Sequence, residues 1–413
     1  MLLRYLLRAI VKSGTLKVVD ARGGTHVFGN GQAPFSTIRL HDPALHYKLF
    51  LHPSLYAGEA YMDGSLTIEE GDLYGFLEIV LSNMERLERE PAQVRPYFVE
   101  RTLRPFRTFN PIARAKRNAA YHYDLSSSLY DLFLDKDRQY SCAYFSSDNE
   151  SLELAQDNKK RHIASKLLLG AGQKVLDIGS GWGGLGMFLA RMVDGIDVTG
   201  ITLSEEQLKV SRTRAAAAGL ADRVRFELRD YRQETGRFDR IVSVGMFEHV
   251  GPAHYQRFFA KVRDLLADDG VCLLHSIGRM EPPGGTNAWL RKYIFPGGYT
   301  PALSEVLAAV EKVGLWATDI EILRLHYAKT LREWRQRFMA NRDEVRKLYD
   351  ERFCRMWEYY LASCECAFKY LRQMVFQMQI TKRADAAPLT RDYMVDWERE
   401  HATARNLSND ALA

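Results

Sequence analysis

The stretch KVLDIGSGWGGLG, residues 174–186, decides the fold of this chain of 413 residues. It begins with the aliphatic residues of a buried strand and ends in a run of glycines that leads into a helical segment. Gly179, Gly181 and Gly183 let the backbone approach a ligand closely, and the start of the following helix offers free N–H groups to an anion. Asp177 stands two residues before the first of these glycines. The stretch therefore predicts a strand, a ligand-binding turn and a helix.

The glycine loop fits two classes of ligand. The order D-x-G-x-G-x-G is the usual first motif of S-adenosylmethionine-dependent methyltransferases, but Gly179, Gly181 and Gly184 also form the G-x-G-x-x-G pattern of dinucleotide sites. A dinucleotide site has an acidic residue at the end of the next strand. The next predicted strand ends in Thr202, and Glu205 falls in the helix beyond it. The combined pattern favours the methyl donor over a nicotinamide cofactor.

The chain after residue 160 predicts an α/β fold with a mostly parallel sheet. Strands are expected over 174–179, 197–202, 224–229, 238–244 and 270–277, with helices between them. Such repeats predict a Rossmann-like sheet, whose ligand crevice lies at the carboxyl ends of the strands, and with the glycine loop they favour a class I methyltransferase domain. The Pro- and Gly-rich segment 280–300 is typical of a lid, and residues 327–383 are expected to be helical.

Changes in composition divide the chain into four parts. A small α+β N-terminal domain, associated with lipid or membrane, is predicted over 1–92. A linker that mixes arginines with aromatic residues follows over 93–118 and suits an anionic lipid surface or an ordinary solvated connection. The catalytic domain with its C-terminal helices is predicted over 119–384, and a polar tail over 385–413.

The composition limits the setting in which the chain works. The net charge of +5 permits an anionic surface without requiring one, and no nucleic-acid partner is predicted. No apolar run approaches the roughly 20 residues of a membrane span. Five irregularly spaced cysteines predict a reducing cytoplasm and no metal site. Arg4, Arg8 and Lys12 share one face of the first helix, which is either a domain helix with a solvated edge or a membrane contact.

Polar side chains follow the predicted strand ends. Glu248 comes just after the fourth predicted strand, and His275 lies near the end of the fifth, so both are expected beside the glycine loop. A Glu and a His at one pocket can hold and deprotonate a reacting group. Cys142 precedes the sheet and Tyr327 opens a helix. Taken singly, each of these residues is also compatible with a buried, hydrogen-bonded structural role.

Nine motifs together resemble one enzyme family over most of the chain. In chain order they are GEAYMDG at 58–64, YHYDLSSSLYDLFLD at 121–135, YSCAYF at 140–145, LDIGSGWGG at 176–184, GITLSEEQ at 200–207, FDRIVSVGMFEHVG at 238–251, HSIG at 275–278, YIFPGG at 293–298 and HYAKTLREW at 326–334. They are similar to the cyclopropane-fatty-acyl-phospholipid synthases and the related mycolic-acid cyclopropane synthases. One difference is Ser180, where these enzymes usually have Cys.

The resemblance implies a reaction and the residues that carry it. A methylene group passes from S-adenosylmethionine to the cis double bond of an unsaturated phospholipid acyl chain, through a carbocation that a bound bicarbonate deprotonates. The resemblance implies that the bicarbonate is held by Cys142, Glu248, His275, Tyr327 and the backbone of Ile277. Cys364 matches a cysteine once proposed as a nucleophile, although this mechanism needs no covalent enzyme intermediate.

The resemblance also implies donor-binding positions, partners and location. The donor positions are Tyr140, Ser141, Asp177, Gly179, Gly181, Thr202, Gln207, Asp230 and Tyr231. The long N-terminal domain is similar to that of the bacterial phospholipid enzymes, which favours membrane phospholipid over a carrier-bound mycolate. We therefore expect a cytoplasmic protein that binds peripherally to the inner face of the membrane. A homodimer is one assembly that it could form.

Two other functions remain open from the sequence. One is a related lipid C-methyltransferase that stops at a methylene or methyl branch; the complete set of bicarbonate positions favours ring closure over it. The other is a catalytically silent lipid-binding protein on the same fold, which the intact glycine loop argues against. A nicotinamide oxidoreductase is more distant than either.

Overall fold

The computed structural model describes residues 2–88 and 127–402, and the structural statements below concern these two ranges. The linker predicted over 93–118 lies outside the described residues, as does the end of the chain after residue 402.

The first range forms the small α+β domain that the sequence predicts. Its strands are β1 (Thr15–Val19), β2 (Thr25–Gly29), β3 (Phe35–Leu40) and β4 (Leu66–Glu70), in the sheet order β2-β1-β3-β4. Its helices are α1 (Leu2–Ile10), α2 (Leu45–Leu51), α3 (Pro53–Met62) and α4 (Leu73–Glu88). Helix α4 packs on β1 and β3, so alternate strand residues such as Leu16 and Val18 are buried beneath it.

The second range forms a seven-stranded sheet. Its strands are β5 (Lys174–Ile178), β6 (Asp197–Thr202), β7 (Val224–Leu228), β8 (Phe238–Val244), β9 (Leu266–Arg279), β10 (Trp316–Ile322) and β11 (Gln373–Thr381), in the order β10-β11-β9-β8-β5-β6-β7. Strands β5 to β9 pair in parallel, and β11 is antiparallel to both β9 and β10. The Rossmann-like class I methyltransferase fold is confirmed, with all five predicted strands in place.

Helices flank this sheet and continue beyond it. They are α5 (Ser127–Asp131), α6 (Leu152–Leu167), α7 (Gly184–Met192), α8 (Glu205–Ala217), α9 (Tyr255–Leu265), α10 (Ala288–Tyr293), α11 (Leu303–Lys312), α12 (His326–Ala340), α13 (Arg342–Leu348), α14 (Glu351–Tyr370) and α15 (Asp392–Ala402). Helix α8 begins where the sequence indicates, because the Ser204 side chain accepts a hydrogen bond from the Gln207 N–H at 3.2 Å.

One expectation from the sequence is wrong. The segment 327–383, expected to be helical, contains strand β11, which is buried on both faces and mixes apolar residues with Gln377 and Gln379. A strand buried in this way carries no alternation of polar and apolar residues to reveal it. Within the polar tail predicted over 385–413, the described residues include helix α15, which packs on α6 and buries Met394.

The N-terminal domain packs directly on the catalytic domain. Helix α14 contacts α3 and α4, and α10 contacts α3. The indole of Trp289 is buried against Gly58, where an added Cβ would lie 2.5 Å from the indole nitrogen. Trp289 belongs to the segment predicted as a lid. The N-terminal domain therefore anchors that segment through a close contact that only glycine allows.

Candidate active site

The glycine loop leaves β5 and turns beneath the end of β6. The N–H groups of Gly179 and Ser180 both donate to the Ile201 carbonyl, at 2.9 and 3.0 Å. Gly181 and Gly183 have φ of 54° and 83°, a region that favours glycine. A Cβ on Gly183 would lie 2.5 Å from the Phe226 ring, whereas one on Gly181 would meet nothing within 4 Å. One glycine therefore serves packing, and the other leaves space open.

One cavity, called here the donor cavity, lies at the carboxyl ends of β5, β6 and β8. It is lined by all nine residues that the sequence assigns to the donor: Tyr140, Ser141, Asp177, Gly179, Gly181, Thr202, Gln207, Asp230 and Tyr231. The lining also includes residues that the sequence did not assign to the donor, among them Arg138, Trp182 and His249. His249 is adjacent to Glu248 in the quoted motif, and that neighbourhood was the signal available for it.

Two buried oxygen atoms in the glycine loop have no hydrogen-bond partner within the described ranges. They are Oδ2 of Asp177 and Oγ of Ser180. Burial raises the pKa of Asp177 to about 7, and the positive charge of Lys159 opposes that rise. Unpaired buried oxygens are costly, so they fit a ligand that brings a donor, such as the ammonium group of S-adenosylmethionine. Together with the open space at Gly181, they make the cavity suited to that methyl donor.

Helix α6 holds the Tyr140–Ser141 side of the cavity in place. The buried Lys159 donates to Oγ of Ser141 at 2.9 Å, and Gln156 donates to the Ser141 carbonyl at 3.0 Å. Burial lowers the pKa of Lys159 to about 8. Sequence reasoning missed both residues. A lysine between apolar positions of a helix, as Lys159 is between Ala155 and Ile163, was the only available signal.

On the opposite side of the donor cavity, some of the predicted donor-binding side chains already pair with other protein groups. The Thr202 hydroxyl donates to Oε1 of Gln207 at 2.7 Å, so this contact uses the amide oxygen of Gln207 and not its amide nitrogen. The carboxylate of Asp230 pairs with Arg232, whose Nη2 lies 2.6 Å from Oδ2. Tyr231 stands between these two residues and lines the cavity.

Glu248 is a second buried carboxyl group, beside this cavity. It lies in a single turn of 3-10 helix, Phe247–His249, directly after β8. Its Oε1 accepts the backbone N–H of Ile277 at 2.6 Å, and its buried Oε2 has no partner among the described residues. Burial raises the pKa of Glu248 to about 7. The carboxyl group can therefore hold or release a proton near neutral pH.

His275 lies two residues before Ile277 on β9, on the same face of the strand. Its Nδ1 is 3.2 Å from the amide nitrogen of Gln377 on β11. Burial lowers the pKa of His275 well below its ordinary value, and the nearby cations Lys159 and Lys166 lower it further. The imidazole is therefore neutral at physiological pH, with one donor and one acceptor nitrogen.

Cys142 and Tyr327 lie in one apolar cluster with Ile277. Cys142 is buried, and burial raises the pKa of its thiol far above the ordinary value, so the thiol stays protonated. The Tyr327 ring packs edge-on against Phe368 at 4.7 Å. We call Cys142, Glu248, His275, Ile277 and Tyr327 the reaction group. The structure joins Glu248 to Ile277 directly and the other members through shared packing or a shared strand.

Cys364 lies on α14 in the same cluster, partly buried. Burial raises the pKa of its thiol to about 12. A thiolate nucleophile needs a lowered pKa, so this environment disfavours the covalent role. No group of three or more His, Cys, Asp or Glu residues within the two described ranges has the arrangement of a metal site. In the same ranges, no helix is long and apolar enough to span a bilayer.

The fold and the donor cavity define a class I S-adenosylmethionine-dependent methyltransferase. The family model for mycolic acid cyclopropane synthetase matches residues 111–378, and the chain belongs to this family.

Curated relatives extend the match beyond the catalytic domain. The chain is 38% identical over 357 residues to the cyclopropane-fatty-acyl-phospholipid synthase of Escherichia coli K12, covering 84% of this chain and 89% of that protein. It is 40% identical over 352 residues to a probable fatty acid methyltransferase of Pseudomonas putida, covering 83% and 86%.

Solved structures match the catalytic part. The cyclopropane synthase MmaA2 from Mycobacterium tuberculosis superposes with a TM-score of 0.61 at 31% identity, covering 66% of this chain and 99% of that one. Mycolic acid cyclopropane synthase CmaA1, complexed with SAH and CTAB, gives a TM-score of 0.61 at 33% identity with the same coverage. These two synthases are therefore matched almost entirely by about two thirds of this chain.

Proposed function

We propose that this chain is a cyclopropane-fatty-acyl-phospholipid synthase. It moves a methylene group from S-adenosylmethionine to the cis double bond of an unsaturated phospholipid acyl chain, and a bound bicarbonate accepts the proton that is lost. The observation that carries the proposal is Glu248, a buried carboxyl group with one oxygen fixed by the Ile277 N–H and the other unpaired. That unpaired oxygen fits a small anion that shares a proton.

The reaction asks for a proton acceptor inside an apolar enclosure. A side-chain base is hard to place beside a long acyl chain, whereas a small anion held by side chains fits there. His275 and Tyr327 supply N–H and O–H donors for such an anion, and Glu248 shares a proton with it. With a pKa of about 7, Glu248 can exchange that proton near neutral pH. S-adenosylmethionine supplies the methyl group when it is bound.

Aromatic rings cluster around Tyr327 of the reaction group. Tyr140 lies 5.1 Å from Trp334 between ring centroids, and its hydroxyl is 2.8 Å from that of Tyr360. Tyr327 packs against the same Trp334 at 5.8 Å. Ring faces attract cations, and exclusion of water strengthens that attraction. We propose that this cluster stabilises the carbocation until the ring closes.

The N-terminal domain supports a membrane phospholipid as substrate. Helices α1 and α2 pack together and expose large apolar side chains: Leu2, Tyr5, Tyr47 and Leu51. Tyr5 is 73% exposed and Tyr47 65%. Aromatic rings of this kind, with the neighbouring cations Arg8 and Lys48, suit the interface of an anionic bilayer. We propose that this helix pair docks on the membrane, together with the basic linker outside the described residues.

Product analysis tests the proposed reaction. The purified protein is incubated with S-adenosylmethionine and vesicles of a cis-monounsaturated phospholipid, and the released acyl chains are analysed by mass spectrometry before and after ozone treatment. We expect a product that has gained one methylene unit and that ozone does not cleave. A product of the same mass that ozone cleaves means a methylene branch, and the ring-forming proposal is then wrong.

Vesicle sedimentation tests the membrane contact. The double change Tyr5→Ser and Tyr47→Ser removes two exposed rings without touching the core. We expect weaker sedimentation with anionic vesicles and lower activity on vesicles, but near-normal activity on detergent-dispersed lipid. The matched control is Trp316→Ser, which removes an exposed aromatic residue of the catalytic domain. Equal vesicle binding by the double variant and the parent would place the docking surface elsewhere.

A further inference from the structure

A chain of polar contacts runs from His275 to the C-terminal helix. Gln377 on β11 contacts His275, and its Oε1 accepts from Nζ of Lys166 at 2.8 Å. Lys166 also pairs with Glu321 on β10. Glu321 accepts from Nε2 of His162 at 2.6 Å. The proposed reaction requires none of the contacts beyond His275, although most of these side chains are buried.

The contacts of Lys166 fix the orientation of the Gln377 amide. An ammonium group donates hydrogen bonds and accepts none, so the amide oxygen of Gln377 must face Lys166. The amide NH2 then faces His275 and donates to Nδ1 at 3.2 Å. A neutral imidazole that accepts at Nδ1 carries its proton on Nε2. The orientation of the Gln377 amide follows from its contact with Lys166, because the ammonium group can pair only with the amide oxygen.

The outer part of the chain holds Lys166 in place, and Glu321 opposes the effect of burial, which lowers the pKa of the lysine. Burial opposes ionisation of Glu321, but the hydrogen bond and charge of His162, with those of Lys166, hold its pKa at about 2. Burial also opposes a charge on His162, yet its hydrogen bonds to Glu321 and Glu398 raise the pKa of the imidazole. Glu398 belongs to α15 and accepts from Nδ1 of His162 at 2.6 Å. The two carboxylates therefore balance two buried cations.

We propose that Gln377 and Lys166 are positioning residues that hold His275 as the tautomer with its proton on Nε2. This inference rests on the proposed function, because it concerns the group that holds the anion. The contact with Gln377 is made at Nδ1 of His275, which leaves the proton on Nε2. The N–H at Nε2 is thus the donor that His275 offers to the bound anion. Helix α15, reached through Glu398, is the outer support of this arrangement.

Two variants at Gln377 and a matched control test the proposal. Gln377→Glu places an acceptor against Nδ1 and moves the proton there, and Gln377→Met removes the contact. Gln379→Met is the control: Gln379 is equally buried on the same face of β11 but contacts the Lys166 carbonyl and Tyr393 instead of His275. For both Gln377 variants we expect kcat to fall about 10- to 100-fold, as for loss of other orienting partners, with donor affinity unchanged. Gln379→Met should keep kcat.

Spectroscopy supplies a readout that a merely structural role would not change. Two-bond nitrogen–proton correlation spectra of protein labelled at histidine nitrogen distinguish the tautomers, and the His275 signal is identified by its loss in His275→Gln. We expect proton occupancy at Nε2 in the parent and in Gln379→Met, and at Nδ1 in Gln377→Glu. An Nδ1 proton in the parent, or full kcat in Gln377→Glu, overturns the inference. Full activity in His275→Gln would instead overturn the proposed role of His275 itself.

Discussion

The donor cavity and the reaction group are neighbours that the chain builds in different ways. Both are bordered by residues 140–142, which carry Tyr140 and Ser141 of the cavity and then Cys142 of the reaction group. The cavity is made by consecutive strand ends and one glycine loop. The reaction group draws its side chains from four distant parts of the sequence, and a hydrogen bond joins Glu248 to the backbone of Ile277.

Each of the two regions contains a buried carboxyl group with a raised pKa. Asp177 and Glu248 are both buried, each has an unpaired oxygen, and burial raises the pKa of each to about 7. They differ in what surrounds them. Asp177 lines the cavity for the donor, whereas Glu248 is fixed by a β9 N–H beside His275. The two carboxyl groups therefore have similarly raised pKa values but different proposed roles. Substitution of Asp177 should change donor binding, and substitution of Glu248 should change turnover.

The largest effect is expected at Glu248. Glu248→Gln keeps the size of the side chain but removes the carboxylate that shares a proton with the anion. We expect a loss on the order of 10²–10⁴-fold in kcat, with donor affinity unchanged by calorimetry.

Loss of stability cannot explain the expected fall in kcat of Glu248→Gln. In the folded protein the pKa of Glu248 is raised to about 7, so the parent loses stability as pH rises from the unfolded value towards 7. Above pH 7 the glutamine variant should be at least as stable as the parent in thermal unfolding. Full activity of the variant would show that the anion is held elsewhere.

A smaller effect is expected in the donor cavity. Gly181→Ala adds a methyl group that meets no protein atom within 4 Å and projects into the space kept for the donor. Gly219→Ala is the control, since Gly219 has a similar positive φ and open surroundings but does not line the cavity. We expect donor affinity to fall on the order of 10- to 100-fold for Gly181→Ala alone. Similar affinities in both variants would contradict the assignment of this loop.

The smallest effect is a pH dependence that separates the two carboxyl groups. The donor's ammonium group favours ionised Asp177, whose pKa in the free protein is about 7. Donor affinity should therefore weaken about tenfold as pH falls from 8 to 6. Asp177→Asn should flatten this profile, and Glu248→Gln should leave it in place. If Glu248→Gln flattens the profile instead, the pH dependence of donor affinity comes from Glu248, and the prediction for Asp177 is wrong.

The sequence brings together the residues that line the donor cavity, because the information for this cavity is local, and their role in donor binding stays a prediction. A strand, a glycine turn and a capped helix occur in one stretch, and the ends of neighbouring strands follow from the parallel order of the sheet. The same reasoning places Glu248 beside the cavity. It does not find Gln377, because β11 lacks the alternation that marks a strand, nor Lys159, because a buried lysine looks like a surface one in sequence. The contacts of α15 depend on tertiary packing alone.

The most direct test of the account measures turnover with and without bicarbonate. Purified protein is assayed on phospholipid vesicles in buffer freed of carbon dioxide, and then after bicarbonate is restored, with donor affinity measured in both conditions. We expect turnover to fall on depletion and to recover with bicarbonate, while donor affinity does not change. Turnover that is indifferent to bicarbonate would contradict the claim that Glu248 and His275 hold the anion that accepts the proton.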